Sequence, residues 1–133
     1  MDESLAKRVS RTRGLKKARK IPEENDMGYI EYKRKICDFR YESRIDKLAS
    51  QMSFRLYEGD GKAIYNIGFS DDGIPLGINF DSMLKSLKNL YSICLEIKAD
   101  LKSYRVFQGE KGYCANVYIE KEIKKIIISD LDL

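Results

Sequence analysis

Apolar residues recur along this chain with two different periods. From Tyr29 to Ile36 they alternate, with Ile30, Tyr32 and Ile36 on one side and Glu31, Lys33 and Lys35 on the other. That is the period of a half-buried strand. Over residues 42–57, Ile45, Leu48, Ala49, Met52 and Leu56 fall at i, i+3, i+4, i+7 and i+11, which predicts an amphipathic helix. Glu58-Gly59-Asp60-Gly61 ends it, because glycine tolerates the positive φ of a tight reversal. Alternation returns at Ala63, Tyr65, Ile67 and Phe69, and Asp71-Asp72-Gly73 predicts a hairpin turn into a further strand over Ile74 to Ile78. Pro75 would place that strand at a sheet edge.

A second helical stripe, Met83, Leu84, Leu87, Leu90, Tyr91 and Cys94, follows Asn79 and Asp81, either of which can cap a helix running to about Lys98. Strands are predicted over 100–107 and 113–120, joined through Gly109 to Gly112, with a last short one at Lys124 to Ile128. The order β-α-β-β-α-β-β buries both stripes if the two helices lie on one face of a mainly antiparallel sheet, an α+β two-layer sandwich. A split βαβ arrangement is the nearest topology to expect.

Charge divides the chain. Residues 1–20 hold Lys7, Arg8, Arg11, Arg13, Lys16, Lys17, Arg19 and Lys20 against Asp2 and Glu3, a net of +6. The remaining 113 residues, with 17 basic and 19 acidic side chains, carry −2, so all of the overall +4 sits in this arm. Its few apolar residues predict an arm without structure of its own when free. Pro22 and the run from Glu23 to Gly28 mark where it gives way to the domain. The expected division is a basic arm and linker over 1–27, an α+β domain over 28–128 and an acidic tail over 129–133.

Clustered Lys and Arg neutralise phosphates and release counterions, so these eight residues are the candidate RNA-binding set. A nuclear localisation signal or a solubilising tail would use the same residue types. Phe54 and Tyr57 leave the stripe of the first helix and are candidates for aromatic contacts, whereas Tyr65, Phe69, Tyr91 and Tyr113 fall on expected core faces. Asp71 to Gly73, with Glu58 and Asp60, could suggest a cation site, but turn chemistry calls for the same residues.

The 133 residues contain no histidine, no phosphate loop and no GxGxxG, HExxH or GxSxG motif, which points away from an enzyme. Cys37, Cys94 and Cys114 have no metal-ligand spacing and read as reduced core residues of a cytoplasmic protein. No cofactor, metal, membrane or small-molecule substrate is expected.

The stretches IEYKRKI at 30–36 and RIDKLASQMSFRLYEGDGKAIYNIGFSDDG at 44–73, with Ser86-Leu87-Lys88-Asn89-Leu90, Ala99-Asp100 and Arg105, resemble the region preceding the GTPase domain of elongation-factor-like GTP-binding proteins. The chain ends where that family's GTPase domain would begin, so the resemblance implies no nucleotide site. A freestanding version with a basic arm is similar to the ribosome dormancy factors of microsporidian parasites. That resemblance implies a monomer at the tRNA exit site between the ribosomal subunits, inhibiting translation through contacts to rRNA and ribosomal proteins. It directs attention to Gln51, Phe54, Arg55, Tyr57, Glu58, Gly59 and Gly61 as ribosome contacts. A protein-binding adaptor domain is the alternative.

Overall fold

Both helical stripes fold where their spacing places them. The computed structural model describes residues 15–36 and 42–123. In chain order these form β1 (Ile30–Lys33), α1 (Glu42–Glu58), β2 (Lys62–Ile67), α2 (Phe80–Glu96), β3 (Asp100–Gly109) and β4 (Gly112–Glu120). Asn79 caps α2, its side-chain oxygen accepting from the Ser82 N–H at 2.8 Å, which satisfies one of the orphan donors of the first turn. Met52, Leu56, Met83, Leu87, Leu90 and Ile93 of the helices are buried against Ala63, Tyr65, Ile67, Val117 and Ile119 of the sheet. The result is an α+β fold, two helices on one face of a four-stranded mixed sheet in the order β1-β2-β4-β3.

The strand set differs from the expected one. Residues 74–78 make no strand, only a single bridge from Ile78 to Tyr113. Pro75 has no N–H to donate, and Gly73 and Gly77, both at φ +85°, break the two-residue alternation a strand needs. The observed order among the described residues is therefore β-α-β-α-β-β. The βαβ unit is also not split, because β1 pairs directly and in parallel with β2, Ile30 opposite Ile64 and Lys33 opposite Ile67. The strand expected at Lys124 to Ile128, the acidic tail and Cys37 lie outside the described residues.

β1 itself ends at Lys33, short of Ile36. Ile36 reaches the core separately, its N–H donating to Ser86 Oγ at 2.9 Å and its carbonyl accepting from Asn89 Nδ2 at 2.6 Å. Ser86 and Asn89 of the Ser86 to Leu90 pattern thus tie the segment after β1 to α2. The faces of β1 are also reversed from expectation. Glu31 shares the helix side with its partner Tyr65, while Tyr32 lies on the opposite face beside Asn66. Tyr91, expected in the core, is 38% exposed.

Candidate functional site

Two surfaces carry the charged and aromatic residues that the pattern singles out. The first is the sheet face turned away from the helices. Here the second half of the basic segment crosses from one sheet edge to the other. Lys17 bridges Gln108 of β3, with the Ala18 N–H donating to the Gln108 carbonyl at 2.8 Å and the Gln108 N–H donating to the Lys16 carbonyl at 2.9 Å. Farther on, the Ile21 N–H donates to the Gly73 carbonyl at 2.9 Å and the Glu24 N–H to the Asp71 carbonyl at 2.7 Å. The crossing ends at β1, where the Tyr32 hydroxyl donates to the Pro22 carbonyl and the Tyr32 N–H to Glu24 Oε2 at 2.7 Å. Burial pushes the Glu24 carboxyl up; the Tyr32 N–H opposes the shift, and Glu31 and Asp71 add to it.

Between this strap and the sheet lies a cleft of about 720 Å³. Lys16, Lys17 and Arg19 stand on its strap side, and Asn66, Phe69, Arg105, Phe107 and Asn116 line its floor. Asn66 of β2 and Asn116 of β4 are register partners, and Asn116 Nδ2 donates to Asn66 Oδ1 at 2.8 Å. The turn at Asp71 to Gly73 therefore acts as a docking point for the strap rather than as a carboxylate site. Gly73 is required there, because a Cβ would stand 1.9 Å from the Ile21 carbonyl oxygen.

The second surface is the C-terminal end of α1. Phe54 and Tyr57 are 40% and 57% exposed, next to the 27–29 loop whose Met27 and Tyr29 are 62% and 43% exposed. Arg55 between them is only 3% exposed. Its Nε donates to Glu31 Oε2 at 2.7 Å, and its Nη1 donates to the Met27 and Gly28 carbonyls at 3.1 and 3.0 Å. Arg55 is thus an internal clamp between α1 and the 27–29 loop and presents no guanidinium to a partner. The Gly28 N–H is 3.4 Å from Glu58 Oε1.

Gly59 and Gly61 serve packing. A Cβ on Gly59 would meet the Lys62 carbonyl oxygen at 1.9 Å and Tyr29 Cβ at 2.5 Å, and Gly61 has φ +97° with the Lys121 carbonyl oxygen 2.6 Å away. Gln51 is half-buried, and its Oε1 is a buried acceptor with no hydrogen-bond partner. Of the candidate contacts on α1, Phe54 and Tyr57 are the ones presented outward. Of the eight basic residues, Lys16, Lys17, Arg19 and Lys20 are placed, all exposed, while Lys7, Arg8, Arg11 and Arg13 lie outside the described residues.

The floor of the cleft, Asn66, Arg105, Phe107 and Asn116, was not singled out as a site by the pattern. The signal available was faint: two asparagines at polar positions of neighbouring strands, which alternation alone reads as solvated. Among the described residues, no group of three or more His, Cys, Asp or Glu side chains is gathered to hold a metal ion, and no helix is long and apolar enough to cross a membrane.

Over 108 residues, 81% of its length, the chain is 37% identical to GTP-binding protein 2 of Mus musculus, and over 78 residues, 59% of its length, it is 32% identical to GTP-binding protein 1 of Xenopus laevis. Part of the chain is thus homologous to GTP-binding proteins 1 and 2. It spans 17% and 12% of those two relatives. It is also 34% identical over 86 residues to Uncharacterized protein R625 of Acanthamoeba polyphaga mimivirus, of which it spans 45%. No protein-family model matches the chain. No solved structure matches it.

Proposed function

We propose that this chain is a non-catalytic adaptor domain, related to a region of translational GTP-binding proteins, that docks a protein partner through the aromatic end of α1. The observation that carries this reading is the exposure of Phe54, Tyr57, Met27 and Tyr29 around the buried Arg55–Glu31 pair. Exposed aromatics held on a rigid support lose little conformational entropy on binding and are the residues that dominate interface energies. Homology over part of much larger GTP-binding proteins fits a module used for attachment.

A second reading, a dormancy factor that occupies the tRNA exit site of the ribosome and inhibits translation, draws on the charge. The eight basic residues of the first 20 and the placement of four of them beside the sheet suit rRNA phosphates.

The two readings separate in one experiment. Ribosomes are sedimented with the full chain, with a Phe54→Ala/Tyr57→Ala variant, and with a variant in which Lys16, Lys17, Arg19 and Lys20 become Gln. The adaptor reading expects capture of a discrete protein partner that survives nuclease treatment and is lost from the aromatic variant alone. The dormancy reading expects pelleting with ribosomes that weakens with salt and is lost from the Gln variant. Nuclease-resistant capture unaffected by the aromatic changes would overturn the proposed docking surface.

A further inference from the structure

The cleft under the strap joins the basic residues of the second reading to a floor that neither reading uses. Its cations come from two sides, Lys16, Lys17 and Arg19 from the strap and the exposed Arg105 from the β3 floor, with Glu110 the acidic neighbour beyond Gln108. Its floor is not merely charged. Phe107 lies half-buried on β3, and the buried Phe69 lines the same cleft, so the floor offers the ring of Phe107 alongside the cations. The Asn116-to-Asn66 hydrogen bond engages one amide hydrogen and one carbonyl oxygen. An asparagine amide carries two hydrogens and an acceptor oxygen, so that bond leaves Asn66 Nδ2 as a donor and Asn116 Oδ1 as an acceptor on the two amides.

We infer that this cleft binds an unpaired base of single-stranded RNA, with the flanking phosphates along the strap. Cations alone would bind any polyanion. An aromatic face gives a base something to stack on, and the amide donor and acceptor can meet its hydrogen-bonding edge or the ribose 2′-hydroxyl, which both donates and accepts. Duplex RNA cannot enter this way, because its bases are stacked and paired within the helix. The volume, about 720 Å³, lies within the usual range of ligand pockets and accommodates a base with its ribose. This inference stands whether or not the adaptor or the dormancy reading holds, since it needs neither a protein partner nor a ribosome.

The test uses the full chain and a fluorescently labelled RNA of eight nucleotides, with anisotropy measured across a range of salt. The single-stranded RNA is expected to bind more tightly than a duplex of the same sequence and than inorganic polyphosphate. Phe107→Leu, which keeps an apolar side chain but removes the ring, is expected to weaken binding about five-fold or more without altering its salt dependence. Lys17→Gln and Arg105→Gln should instead flatten the salt dependence. Equal affinity for duplex or polyphosphate, or unchanged affinity in a folded Phe107→Leu variant, would overturn the inference. Should Phe107→Leu fail to fold, the unmodified chain is photo-crosslinked to 4-thiouridine RNA and the adducts are mapped. Adducts on Phe69, Arg105 or Phe107 support the site, and adducts confined to other residues overturn it.

Discussion

The Glu31 carboxylate is buried on the helix side of β1, where the Arg55 guanidinium reaches it from α1. Two ions removed from water are tolerated only together, and Arg55 satisfies two backbone carbonyls besides. Removing Arg55 leaves the buried Glu31 with only the longer contact to Lys33 Nζ, 3.8 Å from its Oε1, as charged partner. Arg55→Ala is therefore expected to cost about 3–5 kcal/mol in urea unfolding, whereas replacing both by apolar residues, Glu31→Leu with Arg55→Met, should recover most of that loss. A second expectation concerns the thiols. Burial pushes Cys94 and Cys114 from about 9 up to about 12, with Asp100 adding to the shift at Cys94 and, at Cys114, the Gly77 backbone opposing it while Glu110 adds to it. In the unfolded chain both ionise near pH 9 while the folded chain keeps them neutral. Their contribution to stability is thus complete below pH 9 and is lost as pH rises through 12. In a Cys37→Ser background, the urea midpoint should fall from pH 9 upward, and Cys94→Ala should reduce that fall. A midpoint whose pH dependence ignores both thiols would contradict this account.

At the scale of elements, periodicity was a good guide wherever one face of a segment is buried and the other is wet. The helix expected over 42–57 is Glu42–Glu58, and that expected from Asn79 or Asp81 is Phe80–Glu96, because 3.6-residue stripes and a capping asparagine are local signals. β3 and β4 were legible for the same reason. What stayed hidden depends on partners distant in sequence. Glu31 reads as solvated until Arg55, 24 residues on, neutralises it. Tyr32 reads as core, yet what buries it is the strap rather than the helices. Residues 74–78 have the apolar content of a strand but not its backbone, and Gly77 instead lets the chain pass the Gly112 backbone, which a Cβ would meet at 2.7 Å. The candidate site divides in the same way. Exposure of Phe54 and Tyr57 follows from their position off the α1 stripe, whereas the cleft needs three strands and the strap brought together, and no single segment announces it.

For the molecule as a whole, charge and fold meet along the strap. Lys16, Lys17, Arg19 and Lys20 belong to a segment, Lys16 to Glu24, that is hydrogen-bonded to β3, to the 71–73 turn and to β1. The docking depends on close backbone approach at Gly73, where the positive φ of 85° and the 1.9 Å distance from a would-be Cβ to the Ile21 carbonyl both exclude a side chain. Gly73→Ala is thus expected to lift the strap from the sheet while α1, α2 and the β2-β4-β3 core, which it does not touch, stay folded. Limited proteolysis with an enzyme that cuts after Lys and Arg should then cleave at Lys16, Lys17, Arg19 and Lys20 at least several-fold faster than in the unaltered chain, with the helical circular dichroism signal retained. Strap and cleft share a wall, so the same substitution should also weaken RNA binding in the anisotropy experiment. Faster cleavage with undiminished RNA affinity would mean that the cations act as a tether alone, and the cleft would lose its part in recognition.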